Sequence, residues 1–260
     1  MIDNSVSIVM PVHNQQDIIG PIIKSIFDCA SENVKEVIII LDGCTDNTEE
    51  IVVRNLVYKR DDMIVKLVHT NDVWETIACN IGFVNSECEY SLNIQDDMRV
   101  DEENFDKRLM KPFFVIPNLL GVTARDAVDA RIINGNIDYY NVAGKDVNTP
   151  RNIFSIRDII NRGPILFKNS VLKELNYLDT DFAPFAQDDS DLSLRAYRKG
   201  YLVGSYVTEY YSPLEWGQTR KNIVSSRTIA WSEAKNMKLL MERHMDLILA
   251  EKHDQDIVLE

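Results

Sequence analysis

The chain has 260 residues, 45% of them hydrophobic, with 41 acidic against 28 basic side chains and a formal net charge of −13. That length suits one large α/β domain with its own core, or a domain and a half, while the charge opposes nonspecific binding to nucleic acid or anionic lipid and no clustered Lys/Arg stripe overrides it. The cysteines Cys29, Cys44, Cys79 and Cys88 form no C-x-x-C pair, so neither a zinc site nor a disulfide framework organises the fold.

The N-terminal MIDNSVSIVMPVHN has no basic leader followed by a long apolar core, and no window approaches the roughly 18 uninterrupted apolar residues of a membrane span. The expectation is a soluble, cytoplasmic chain with no transmembrane segment and no nucleic-acid partner. A first strand is predicted from about residue 5 to 10 within SVSIVMPV, then EVIIIL (36 to 41), MIVKLVHT (63 to 70) and YSLNI (90 to 94). Helical patterns at about 15 to 30, 46 to 60 and 73 to 86 separate them, which argues for βαβ units and a parallel sheet covered on both faces. Asp46 with Glu49 three residues on fits a capping box at the start of the second helix.

A helix near 102 to 111 and the apolar run LLGVTA (119 to 124) follow. Residues 125 to 162 are polar, contain Gly135, Gly144 and Pro150, and read as a long loop region or lid. Order resumes at GPILFK (163 to 168), a helix around 188 to 199 and YLVGSYV. A final amphipathic helix at roughly 225 to 250 carries Met237, Leu240, Met241 and Leu247 on one stripe, suited to packing on the sheet, with a homodimer or membrane contact as the alternative.

In open parallel sheets, ligands lie beyond the carboxyl ends of the strands. Three carboxylate groups fall at such ends: Asp42 in LDG, Asp96 and Asp97 in NIQDDM, and Asp188, Asp189 and Asp191 in QDDSD. Asp42 followed by Gly is also an ordinary turn. A dinucleotide fold would need G-x-G-x-x-G where this chain has PVHNQQDIIG, a phosphate-binding P-loop is missing, and a haloacid-type phosphatase would want an acid where Ile40 stands. Adjacent Asp96 and Asp97 repel unless compensated, and Mg²⁺ or Mn²⁺ is the economical partner, a solvated turn being the alternative. Asp191 and Arg195 are four apart on a helix and suit a structural ion pair, while Asp188 and Asp189 fit either catalysis or the helix start.

Together these segments resemble the family 2 glycosyltransferases of the GT-A fold, over residues 5 to about 205. VSIVMPVHNQQDIIGPIIKSI looks like that family's opening strand and helix, IIILDGCTDNTEEIV its nucleotide-binding segment, ACNIGF its Ala-Arg-Asn-x-Gly segment, NIQDDM its Asp-x-Asp metal motif, and QDDSDLSLRAYRKGY its Glu-Asp-x-Asp-Leu acceptor-side motif. The resemblance implies an α/β, Rossmann-like, mostly parallel sheet flanked by helices, in one domain over residues 1–205. Within it, 1–100 would form the nucleotide-sugar half and 101–205 the acceptor-side half, with 206–260 a loop and helix packed on the same domain. It implies transfer of a single sugar from a nucleoside-diphosphate (UDP-type) donor to a hydroxyl on a glycan, lipid-linked or protein acceptor, with inversion.

The resemblance also implies residue roles. Asp42 would receive the base or ribose beside Pro11, Val12 and His13; Asn80 and Asp96 would contribute to the donor site; Asp97, with Asp96, would hold Mn²⁺ or Mg²⁺; Asp189 would be the general base, with Asp188 beside it. Glu215, Trp216 and Arg220 in PLEWGQTR would form an acceptor platform or phosphate-binding lid, with core packing as Trp216's other reading. Gln95 replaces the first acid of the metal motif, Cys79 an arginine and Asp188 a glutamate. The absence of Gln-x-x-Arg-Trp, QTRKN at 218 to 222 having neither the spacing nor the tryptophan, disfavours a processive polymerase. The rivals are a non-catalytic binding relative, kept alive by Gln95, and a sugar-nucleotide pyrophosphorylase, which would need a glycine-rich, Arg-containing loop after its first strand.

Overall fold

The computed structural model describes residues 3–217, 223–250 and 254–259. Three βα units open the chain: β1 (Val6–Val12), α1 (Ile19–Cys29), β2 (Val34–Asp42), α2 (Thr48–Asn55), β3 (Ile64–Thr70), α3 (Trp74–Val84) and β4 (Tyr90–Asn93). β1 is buried along its whole length and β2 at every residue but Lys35, as their unbroken apolar runs require when helices cover both faces. The rest of the chain runs β5 (Arg99–Val100), α4 (Phe105–Val115), β6 (Leu119–Thr123), β7 (Asp126–Ile133), β8 (Asn136–Gly144), β9 (Ile153–Arg157), β10 (Ile159–Ile160), β11 (Ile165–Lys168), α5 (Asn169–Glu174), α6 (Asp188–Arg198), β12 (Leu202–Ser205), β13 (Tyr210–Tyr211), α7 (Ile223–Ile248) and β14 (Gln255–Val258).

The expected fold class is the one observed, an α/β chain on a helix-flanked central sheet. Nine strands lie in the order β14-β9-β12-β6-β11-β4-β1-β2-β3. The stretch β4-β1-β2-β3 is parallel, β11 enters antiparallel between β4 and β6, and β12 pairs parallel with β6. Helix α3 lies close on β1, because a Cβ at Gly82 would come within 2.2 Å of the Val9 side chain.

Residues 125 to 162 are not the loop expected of them. β7 and β8 form an antiparallel hairpin that makes a second sheet with β10, and β9 joins the large sheet. The hairpin turns at Asn134 and Gly135, both at positive φ, the geometry a tight two-residue turn demands. Its polarity misled the reading because β8 is largely solvated and because buried Asp129 is satisfied by the Asp158 N–H at 3.1 Å and Asn141 Nδ2 at 2.6 Å.

Two other expectations also change. Asp46 does not form a capping box: it accepts from the N–H of Gln16 and Thr48, while Glu49 reaches His69 at 2.9 Å. The last helix packs mainly on α6 and on β7 of the second sheet. Its buried line is Ser232, Asn236, Leu240, His244 and Ile248, with Met237, Met241 and Leu247 only half-buried beside it. Polar groups sit on that line because they meet backbone: Asn236 Nδ2 reaches the carbonyls of Phe182, Phe185 and Ala186 at 2.6, 2.8 and 2.9 Å.

Candidate active site

A cavity of about 740 Å³ opens where β1, β2 and β4 end. Pro11, Val12 and His13 line it from the end of β1, Asp42 from β2, Trp74 and Glu75 from the start of α3, and Gln95, Asp96 and Asp97 from the segment after β4. Arg125, Lys145, Asp146 and Tyr210 face it from the other half, and Ile229 and Glu233 of α7 also contribute to the wall.

Asp42 is both a cavity residue and an anchor. Its carboxylate accepts from Thr70 Oγ1 at 2.6 Å and from the N–H groups of Val73 and Trp74 at 2.7 and 2.8 Å, fixing the turn that launches α3. Trp74 takes φ +68°, an outlier for a bulky side chain, and the Asp42 bond holds it there. Gly43, at φ +60°, lets this turn close, since a Cβ would sit 2.8 Å from the Asp72 nitrogen. His13 Nδ1 lies 2.6 Å from the Asp42 carbonyl, which can only accept, so Nδ1 carries a proton; Nε2 then accepts from Asn14 Nδ2 at 3.1 Å. Trp74 was missed by the sequence reading, although it lies four residues from the end of β3.

Asp96 turns back toward the protein, accepting from the His13 N–H at 2.8 Å and from Gln15 Nε2 at 3.3 Å. Burial and the neighbouring Asp97 charge push its carboxyl up to about 8. Two hard-oxygen acids crowded at one strand end fit a divalent cation, which would relieve that excess of negative charge. Among the described residues no group of three or more His, Cys, Asp or Glu gathers to hold a metal.

A second group of charged side chains, brought from distant segments, gathers beside the cavity residue Glu75. Arg162, between β10 and β11, pairs with Glu75 at 2.6 Å and with Asp188. Glu75 also accepts from Gln95 Nε2 at 2.5 Å, and Asp188 from Thr76 Oγ1 at 2.7 Å. Asp188 is thereby buried and held by two partners, and it is not among the residues lining the cavity. Asp189 follows it on the first turn of α6, with its carboxylate accepting from the Ser190 N–H at 2.8 Å. Burial lifts its carboxyl to about 6, with Arg162 pulling it down and Asp188 and Glu75 pushing it up. Glu75, one of the charges acting on it, lines the cavity, but Asp189 is not itself among the lining residues. Asp191 keeps the expected pair with Arg195 at 2.6 Å and gains His244 of α7 at 2.8 Å.

Two further expected positions separate from the cavity. Asn80 is a clasp between α3 and the segment before α6, exchanging bonds of 2.8 and 3.0 Å with Leu178 backbone, so its donor-binding assignment is withdrawn. Trp216 packs on the main core and edge-on to Tyr211 at 5.1 Å, which favours its packing role over a sugar platform. Arg220 lies outside the described residues. Cys79 is fully buried against Asn93, and burial raises its thiol. No described helix is long and apolar enough to cross a membrane.

The family described as "Glycosyl transferase family 2" matches residues 7–174. A poly-beta-1,6-N-acetyl-D-glucosamine synthase of Staphylococcus epidermidis is 26% identical over 189 residues, 68% of this chain and 42% of its own. The chain thus spans less than half the length of the curated relatives it matches. Residues 1–349 of S. aureus TarS, solved with UDP, superpose with a TM-score of 0.57 at 16% identity, covering 93% of this chain and 72% of that one. The mannosyltransferase PcManGT from Pyrobaculum calidifontis, solved with GDP-Man and Mn²⁺, superposes with a TM-score of 0.57 at 16% identity, covering 78% and 54%.

Proposed function

The chain belongs to glycosyl transferase family 2, and on that premise we propose that it transfers one sugar from a nucleoside-diphosphate donor to an acceptor hydroxyl, with inversion and with Asp189 as general base. The observation that carries this reading is the cavity lined by Pro11, Val12, His13, Asp42, Asp96 and Asp97 together with Glu75, whose charge acts on Asp189. UDP in the TarS structure and GDP-Man with Mn²⁺ in PcManGT support the donor class.

Asp42 and His13 shape the donor pocket, with the Asp42 oxygens already committed to the α3 turn. Asp97 and Asp96 would hold Mn²⁺ or Mg²⁺, which supplies charge stabilisation to the leaving diphosphate. Asp189 takes the proton from the acceptor oxygen as that oxygen bonds to the anomeric carbon from the face opposite the diphosphate, whose C–O bond breaks. A carboxyl at about 6 is ionised at neutral pH yet basic enough to help. Glu75, tied to Arg162 and Gln95, is less available for that role. The Gln95 departure no longer favours a non-catalytic relative, because that side chain is occupied with Glu75.

The test is nucleotide release from UDP-N-acetylglucosamine, UDP-glucose and GDP-mannose, with Mg²⁺, with Mn²⁺ and with chelator. Turnover with at least one donor that chelator abolishes is expected, and calorimetry should show UDP binding weakened about tenfold or more by chelator or by Asp97→Ala. Metal-independent UDP binding would remove Asp96 and Asp97 from a metal role.

A further inference from the structure

We propose that Arg162 is the positioning residue of the acceptor-side acid: clamped between Glu75 and Asp188, its guanidinium sets the orientation and charge balance of Asp189. This rests on the reading of Asp189 as the base. The side chain of Arg162 is only 13% exposed, and the acids it pairs with are 16% and 1% exposed. One cation held between two acids at low exposure is a costly device if only packing is needed, since apolar residues of like volume hold such a place at least as well.

The geometry gives the clamp a second purpose. Asp188 accepts from Arg162 and, through the same oxygen, from the Asp189 N–H at 3.0 Å, so Arg162 fixes the turn on which Asp189 stands. Glu75, the other end of the clamp, lines the cavity. The charged groups around Asp189 are Arg162, Asp188 and Glu75, with Tyr139 of β8 nearby, its hydroxyl donating to Gln187 Oε1 at 2.8 Å. One cation and two acids therefore act on Asp189 in opposite senses, and deleting either kind must move it in opposite directions.

The clamp also accounts for Gln95. Its Nε2 donates to the same Glu75 oxygen that meets Arg162, at 2.5 Å. An aspartate at 95 would set a second carboxylate against Glu75, so the motif's usual acid is incompatible with the clamp.

The experiment follows Asp189 directly by carboxyl ¹³C NMR titration of aspartate-labelled protein, its resonance identified by loss in Asp189→Asn. In parallel, UDP release from UDP-N-acetylglucosamine is measured with Mg²⁺. Arg162→Gln should raise the Asp189 midpoint by about one pH unit, Glu75→Gln should lower it, and Arg162→Lys should leave it near the parent value. Asp→acid repulsion predicts that Gln95→Asp slows UDP release and that adding Glu75→Gln recovers it. If Arg162→Gln does not fold, the Glu75→Gln and Arg162→Lys titrations decide. Midpoints that stay fixed, or move the same way in Arg162→Gln and Glu75→Gln, overturn the clamp. Parental UDP release by Asp189→Asn, with opposite shifts in the clamp variants, instead overturns the base reading and leaves the clamp standing.

Discussion

The two sides of the cavity hold their acids by different means. On the nucleotide side, Asp42 is fixed by one hydroxyl and two backbone N–H groups, all between residues 70 and 74. On the acceptor side, Asp188 and Asp191 are fixed by Arg162, Arg195 and His244, side chains from three different segments. The donors to Asp42 all come from one neighbouring βα turn, whereas beyond the i,i+4 pair of Asp191 with Arg195 the other two acids' partners Arg162 and His244 come from separate elements. Damage should therefore remain local on the first side and spread on the second.

The widest gap between the two sides is expected at Asp189, where the same side chain should matter for rate and hardly at all for folding. Asp189→Asn keeps an oxygen for the Ser190 N–H but cannot take a proton, so transfer should fall by about 10²- to 10⁴-fold with little change in melting temperature. With Asp189 as the proposed base, the ionised form is the active one in the parent. With the carboxyl raised to about 6, kcat/KM should hold above that pH and fall as pH drops through it, which a pH profile of nucleotide release checks.

Asp191 next sharpens the contrast. Its side chain is 1% exposed and serves both Arg195 and His244, so Asp191→Asn keeps an acceptor for only one of them and removes the charge that holds both. Stability should drop by about 3 kcal/mol in a denaturant titration, while turnover per folded molecule stays close to parental.

Asp42→Ala should cost less, about 1–2 kcal/mol, because the donors it releases border an open cavity. UDP affinity should fall along with it, since the α3 turn and Trp74 lose their anchor. Calorimetry showing intact affinity at reduced stability would leave Asp42 as a turn residue alone. The smallest effect belongs to Asn80→Ala, about 1 kcal/mol of stability with UDP affinity unchanged. A selective loss of UDP binding there would restore Asn80 to the donor site.

The parallel core was legible in the chain because burial on both faces writes itself into a strand as an unbroken apolar run, as in EVIIIL, and because such strands place their terminal acids at one edge. That is enough to find Asp42, Asp96 and Asp97, whereas Asp189, expected at a strand end, stands on the first turn of α6. The hairpin of β7 and β8 carried only a local sign, Asn134-Gly135, inside a polar stretch whose buried acid is satisfied by partners up to 29 residues away. Arg162 and Glu75 carried no sign at all. Nothing in NRG or WET marks a cation or an acid as buried, since a charged side chain becomes a clamp only when folding brings its counter-charge within about 3 Å and removes the water that would otherwise screen it. What the linear order determined was where acids stand at the ends of strands; which of them hold the fold and which remain to act was decided by those long-range pairings.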